Sequence, residues 1–259
     1  MNRINDLRAE WVRARAYRIT VWAWPVMALA ALGFAAFGVL AIRDALAAGS
    51  SVVSQVETLA YLPGGASGVS GLLVAILATT LVTADESSGT ARQLRMVVSD
   101  TRLLASRLSV VVLLAVAATV VSAAAGLGVA AATLPPALLV ATLASTVLWV
   151  NILGTLLVHA TWGLLAFAAA SLVPRSAVAL GLVLAIVLGA PMLEMSLRAL
   201  SWDTRALAFL PEALMRAATV TGSEAVTTVA PLAAVGLLVG WCLALAALAG
   251  VGTRRLRTA

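Results

Sequence analysis

Long apolar runs alternate with short polar segments along the chain, at about 21–42, 67–84, 108–132, 141–171, 176–195 and 230–251. A helix needs about 20 mostly apolar residues to cross a bilayer, so the pattern predicts six spans. An even number of crossings puts both ends on one side. The fourth run is longer than one crossing requires, and its beginning after Pro135 and Pro136 is expected to lie at the interface or to tilt. The fold class predicted is an all-α integral membrane protein.

The segments between the runs carry their own signals. In residues 2–19, Ile4, Leu7, Trp11 and Ala14 recur at spacings of three and four, with arginines over much of the remaining surface. Residues 1–20 are therefore expected as an amphipathic helix lying along the headgroups, before residues 21–259 form the membrane domain. Residues 44–66 read as a polar connection ending in Pro63, Gly64 and Gly65. The connection 197–229 mixes Leu200, Leu207, Leu210, Leu214 and Met215 with charges, and Pro211 followed by Glu212 looks like a first helical turn. Too polar to span and too apolar for a free loop, it is expected to lie at the outer interface or to dip into the protein.

Composition agrees with a lipid solvent: 62% of the 259 residues are hydrophobic and 11% charged, against about 25% charged in soluble domains. The net charge of +6 comes with 17 basic residues, all arginines, clustered beside the apolar runs. Such clusters set topology and do not form a nucleic-acid face. Thirteen of the arginines fall in the N-terminal segment, the connection after the second span, position 175 and the C-terminal segment. Arginine-rich loops stay cytoplasmic, so both termini and residues 84–107 are expected there, in a multi-pass plasma-membrane protein. The N-terminal segment lacks the short apolar core and cleavage site of a secretory signal, and is expected to be retained.

Several chemistries lack their residues. A phosphate-binding loop needs lysine after its glycines, and the chain contains none, so Gly64 to Gly71 is no nucleotide cradle. Its small residues suit close helix packing. Any ATP used must be hydrolysed on another chain. The lone Cys242 permits no intrachain disulfide. With one histidine and no carboxylate near the middle of a span, neither a metal site nor a catalytic centre is expected. In the fourth span Asn151, Thr155 and His159 stand at i, i+4 and i+8, with Trp162 near the same face. That stripe reads either as interhelical hydrogen bonding or as the lining of a substrate path or permease interface.

The charged centre of the chain is the connection from Ala84 to Arg107. Asp85, Glu86, Ser87 and Ser88 supply helix-start signals, and Arg92, Leu94 and Arg95 follow on a short amphipathic stretch. By composition it reads equally as a helix docking into a soluble partner or as an arginine-rich loop obeying the topology rule. Glu86, Gly89-Thr90, Leu94, Ser99-Asp100-Thr101-Arg102 and Ser106-Arg107 in that order resemble the E-x-x-x-G-T signature of type-2 ATP-binding-cassette (ABC) exporter permeases. Glu86 stands one residue nearer Gly89 than the signature has it, whereas Asp85 keeps the longer spacing; Arg107 stands where lysine is usual. The resemblance implies that Glu86, Gly89, Thr90, Arg92, Leu94, Arg95 and Arg107 form a coupling loop that docks on an ABC ATP-binding subunit. It also implies an extracytoplasmic re-entrant helical segment within 197–229 and a second permease copy or paralogue. No cofactor is expected on this chain; ATP and Mg would sit on the partner ATPase subunit. The competing classes are an intramembrane hydrolase built on Glu86 and His159, and a secondary transporter driven by an ion gradient.

Overall fold

The computed structural model describes residues 3–49, 51–87, 98–173, 175–219 and 229–258, and every regular element among them is helical. In chain order these are α1 (Arg3–Ala16), α2 (Arg18–Ala47), α3 (Val52–Ala60), α4 (Leu62–Gly65), α5 (Ser67–Ser87), α6 (Asp100–Thr133), α7 (Pro136–Ala144), α8 (Thr146–Leu172), α9 (Ser176–Ala199), a 3-10 turn (Arg205–Phe209), α10 (Pro211–Thr219) and α11 (Pro231–Thr258). Six of them, α2, α5, α6, α8, α9 and α11, are long and apolar enough to cross a membrane. Helix satisfies every backbone polar group within the segment, which a lipid solvent demands. Four hydroxyls inside the spans are satisfied in the same local way: Thr79, Thr83, Thr119 and Ser171 each donate to the carbonyl four residues earlier.

The six are not equivalent. α8 runs through the centre, with Leu148, Val158, Phe167 and Ala170 buried, and α5 packs along it. α2 buries one row, Ala23, Met27, Ala31, Ala35, Val39 and Ile42, at spacings of four and then three. Its other faces present Trp22, Leu29 and Phe37 outward, as α9 presents Leu182 and Leu193 and α11 presents Leu232 and Leu243. Such apolar outer surface is costly in water and ordinary in lipid.

Both chain ends gather at one end of the bundle. There Arg13 of α1 meets Asp85 of α5, Gly250 of α11 lies against Leu104 of α6, and Gly252 lies against Ser171 of α8. α1 is separated from α2 at Tyr17, buries Ala14, and packs Trp11 against the core. The side chains of Ile4 and Leu7 lie outside the described residues.

Residues 44–66 differ from expectation. They form the end of α2 and the helices α3 and α4, where a polar connection was predicted from their composition. Leu59 is buried against Val39, Ile42, Leu134 and Leu138, with Val56 beside it, so three or four apolar positions suffice once a neighbouring surface exists. Gly49 at φ 77° makes the turn between α2 and α3, a conformation that costs glycine least. Ser51 caps α3 by accepting from the Ser54 amide at 3.3 Å. The long fourth run divides at Ser145 into α7 and α8, its hydroxyl accepting from the Val147 amide.

In the connection 197–229, α10 starts at Pro211 as predicted. Leu214, Met215, Ala217 and Ala218 are buried on α8 and α11, and the Trp241 indole of α11 donates to the Phe209 carbonyl at 3.0 Å.

Candidate functional site

At the end of the bundle that holds the termini, three helices contribute charges to one buried cluster. The Arg13 guanidinium of α1 donates to Glu10 Oε1 at 3.1 Å and to Asp85 Oδ2 at 3.2 Å. Arg107 of α6 donates to the same Asp85 oxygen. Glu10, Asp85 and Arg107 are all buried, and two carboxylates stand against two guanidiniums. Buried ions persist only when paired in this way. Thr20 completes the attachment by donating to the Ala14 carbonyl at 2.6 Å. Burial raises the Glu10 carboxyl above its ordinary pKa, opposed by Arg13 and then Arg107. Burial, and after it the Asp85 charge, raises the Tyr17 phenol.

This cluster is the root of the predicted docking loop. Asp85 stands near the end of α5 and Arg107 in the second turn of α6, so they clamp the two ends of the segment between the second and third spans. Gly89, Thr90, Arg92, Leu94 and Arg95 lie outside the described residues, as does the side chain of Glu86. Arg107 faces Asp85 and the interior, where it holds the loop's base. Nothing in the sequence marks Glu10, Arg13 and Asp85 as one site. The offset of acid and base across segments seventy residues apart gives no periodic signal; only the fold brings them together.

The polar stripe of α8 occupies the bundle's core. Asn151, Thr155, His159 and Trp162 are all buried. His159 Nε2 lies 2.6 Å from Ser70 Oγ of α5, and its Nδ1 lies 2.9 Å from Thr119 Oγ1 of α6. Each hydroxyl is also placed to donate to its own helix, Ser70 to Ala66 O and Thr119 to Ala115 O. A neutral imidazole has one N–H, so the ring donates one of its contacts and accepts the other from a hydroxyl turned toward it. The histidine thereby joins three spans. Asn151 Nδ2 donates to the Thr219 carbonyl of α10 at 3.0 Å. Asn151 Oδ1, Thr155 Oγ1 and Ser122 Oγ have no protein partner among the described residues.

Small residues permit this closeness. A Cβ at Gly71 would run into the Trp162 ring, and one at Gly64 would meet Asn151 and Thr219 at 3.2 to 3.3 Å. The Gly64 to Gly71 stretch is thus a packing surface for α8. Its Ser70, the histidine's partner, was legible only as one small residue among several.

His159 and Glu86 do not form a catalytic pair. Ser70 touches the histidine and Glu86 stands sixteen residues further along α5, which at 1.5 Å per residue is about 24 Å away.

Away from the charge cluster, a cleft of about 450 Å³ opens between α4 and α5, α8, α9 and α10. Tyr61, Ser67, Trp162, Glu212 and Arg216 are among its lining side chains. The Arg216 guanidinium is clasped by Glu212, Nε to Oε1 at 2.8 Å and NH2 to Oε2 at 2.9 Å, and reaches Glu194 Oε2 at 3.3 Å. Burial raises the Glu212 carboxyl despite the opposing pull of Arg216. The i, i+4 spacing of Glu212 and Arg216 was a readable helix pair; its position beside Trp162 was not. Of the stripe, Trp162 reaches this cleft, while Asn151 lies behind two of its lining residues, Gly64 and Thr219.

A family model described as "ABC-2 family transporter protein" matches residues 7–191, from within α1 to within α9. No curated protein matches the chain.

Proposed function

The chain belongs to the ABC-2 transporter family, as a permease of that type, and from this premise we propose that it is the membrane-spanning subunit of an ATP-driven exporter. Membership implies an ABC ATPase as partner. In this reading ATP and Mg bind that partner, and two permease copies or paralogues stand together in the plasma membrane with all termini cytoplasmic. The substrate is an apolar or amphipathic molecule of the drug, lipid or glycolipid class, leaving the cytoplasm or the inner leaflet. No carboxylate or guanidinium stands mid-span to receive a fully ionic cargo.

The observation that carries the proposal is the Glu10–Arg13–Asp85–Arg107 cluster. A docking loop can drive a transporter only if its displacement is passed to the spans instead of being absorbed locally. Charges that are buried and mutually paired resist separation, because parting them leaves an uncompensated ion, at a cost of about 3–5 kcal/mol. Pushing residues 84–107 would therefore move α1, α5 and α6 as one body. Closure of the ATPase subunits would supply the push, and repacking about the central α8 would open a path at the far end.

The test is association. Gly89→Trp or Arg95→Glu is expected to leave the permease inserted in the membrane and to abolish its co-purification with a co-expressed ABC ATPase. Undiminished co-purification of both variants overturns the docking assignment.

A further inference from the structure

The cleft between α5, α8 and α10 carries a chemistry that a transport path does not require. Its volume, about 450 Å³, falls within the roughly 300–1,000 Å³ of small-molecule sites. Among its lining residues the charged side chains are Glu212 and Arg216, and they differ in position: Glu212 is nearly enclosed, at 11% side-chain exposure, and Arg216 half open, at 50%. Opposite charges thus stand side by side, with aromatic rings, Tyr61 and Trp162, on the same cleft.

The pairing decides what can bind. A simple anion approaching Arg216 meets a guanidinium already held between the carboxylates of Glu212 and Glu194. A simple cation approaching Glu212 meets a carboxylate whose two oxygens are both engaged by Arg216. A ligand carrying both charges loses neither way, because its dipole lies antiparallel to the ion pair. Arg216 commits Nε and NH2 to carboxylates, and its NH1 has no partner among the described residues, leaving a donor for an oxyanion. Aromatic rings on the same cleft suit an alkylated ammonium.

We propose that this cleft binds a zwitterionic head group, an ammonium and an oxyanion a few bonds apart, borne on an amphipathic molecule. It deepens the export reading by naming a substrate class, and it rests on that reading for the step from binding to transport. Arg216 takes the oxyanion at the open side. Glu212 with Trp162 and Tyr61 takes the ammonium within, and the apolar body of the ligand extends along the spans.

The glycine at 68 makes a clean block. It lines the cleft, and no heavy atom lies within 4 Å of the place where its Cβ would stand, so a side chain added there starts from open space at the cleft.

The experiment uses the full chain in maltoside micelles and three soluble probes sharing one tail: hexylphosphocholine, hexyltrimethylammonium and hexyl phosphate. Titration calorimetry is expected to show the phosphocholine binding at least about tenfold more tightly than either singly charged probe. Gly68→Phe should abolish that binding, and Glu212→Gln combined with Arg216→Gln should erase the preference while leaving weak binding of all three. Equal binding of the three probes, preference for a singly charged one, or phosphocholine binding unaffected by Gly68→Phe overturns the proposal. Because no ATPase is present, these outcomes are separate from the docking test: lost co-purification with intact binding concerns the partner, and intact co-purification without binding concerns this cleft alone.

Discussion

Glu10 is the residue whose burial has the most readable consequence. Desolvation raises its carboxyl above the ordinary 4.5, so the folded protein holds that proton more tightly than the unfolded chain does. A raised pKa contributes stability that is whole below 4.5 and is lost as pH rises through the folded value. Glutamine keeps an acceptor for Arg13 and removes the titration. The thermal midpoint of the native protein relative to Glu10→Gln should therefore fall as pH is raised from about 4 to about 7. A difference that stays constant with pH, or rises, contradicts the assignment. His159 is the opposite kind of residue. Its spacing from Asn151 and Thr155 was plain in the sequence, and its role remained double because periodicity specifies a face but not what covers it. Ser70 and Thr119 cover that face at His159, since they come from other helices and engage both ring nitrogens.

Among the elements, α10 shows how a segment unfit to span is nonetheless held. Pro211 and Glu212 announce its start, and its apolar residues find α8 and α11. The contact is backbone-close: a Cβ at Gly154 of α8 would collide with the Ala218 carbonyl of α10. Because the obstacle is backbone and not a flexible side-chain tip, Gly154→Ala should destabilise the protein by about 1–3 kcal/mol. Gly181 of α9 has nothing within 4 Å of its Cβ position, so Gly181→Ala is the matched control. It is expected to be neutral or stabilising by up to about 1 kcal/mol through helix propensity. Equal thermal midpoints for the two variants in detergent would refute the tight α8–α10 contact. α3 and α4 teach the reverse lesson, since their few apolar residues were too sparse to register as a run. Val56 and Leu59 become informative only beside Val39, Ile42, Leu134 and Leu138.

For the whole molecule, the arrangement of charge and the arrangement of helices coincide. The termini and the root of the 84–107 loop come together at one end of the bundle, and these are the segments that hold most of the arginines. If arginine distribution governs insertion, reporters fused at either terminus should both be active only on the cytoplasmic side. A periplasmic or extracellular signal from either terminus would reverse the proposed direction of transport. The cleft at Trp162 lies away from that cluster of charge, so a push at the loop and an event at the cleft must be connected through α5 and α8, the two most buried spans.

The sequence by itself determined the number of spans, the start of α10, and the resemblance carried by Glu86, Gly89-Thr90 and Ser106-Arg107. These are local quantities: hydropathy summed over a window, a cap beside a proline, a motif within one loop. Tertiary structure alone decided that Asp85 bridges Arg13 and Arg107, that His159 joins three helices, and that Glu212 and Arg216 stand with Trp162 around a cleft. Those pairings involve side chains separated by up to 89 residues, and nothing in the spacing along one helix encodes which face of another will meet it. In a lipid solvent, where apolar burial does not distinguish one helix face from another, small residues and rare polar groups set the meeting points.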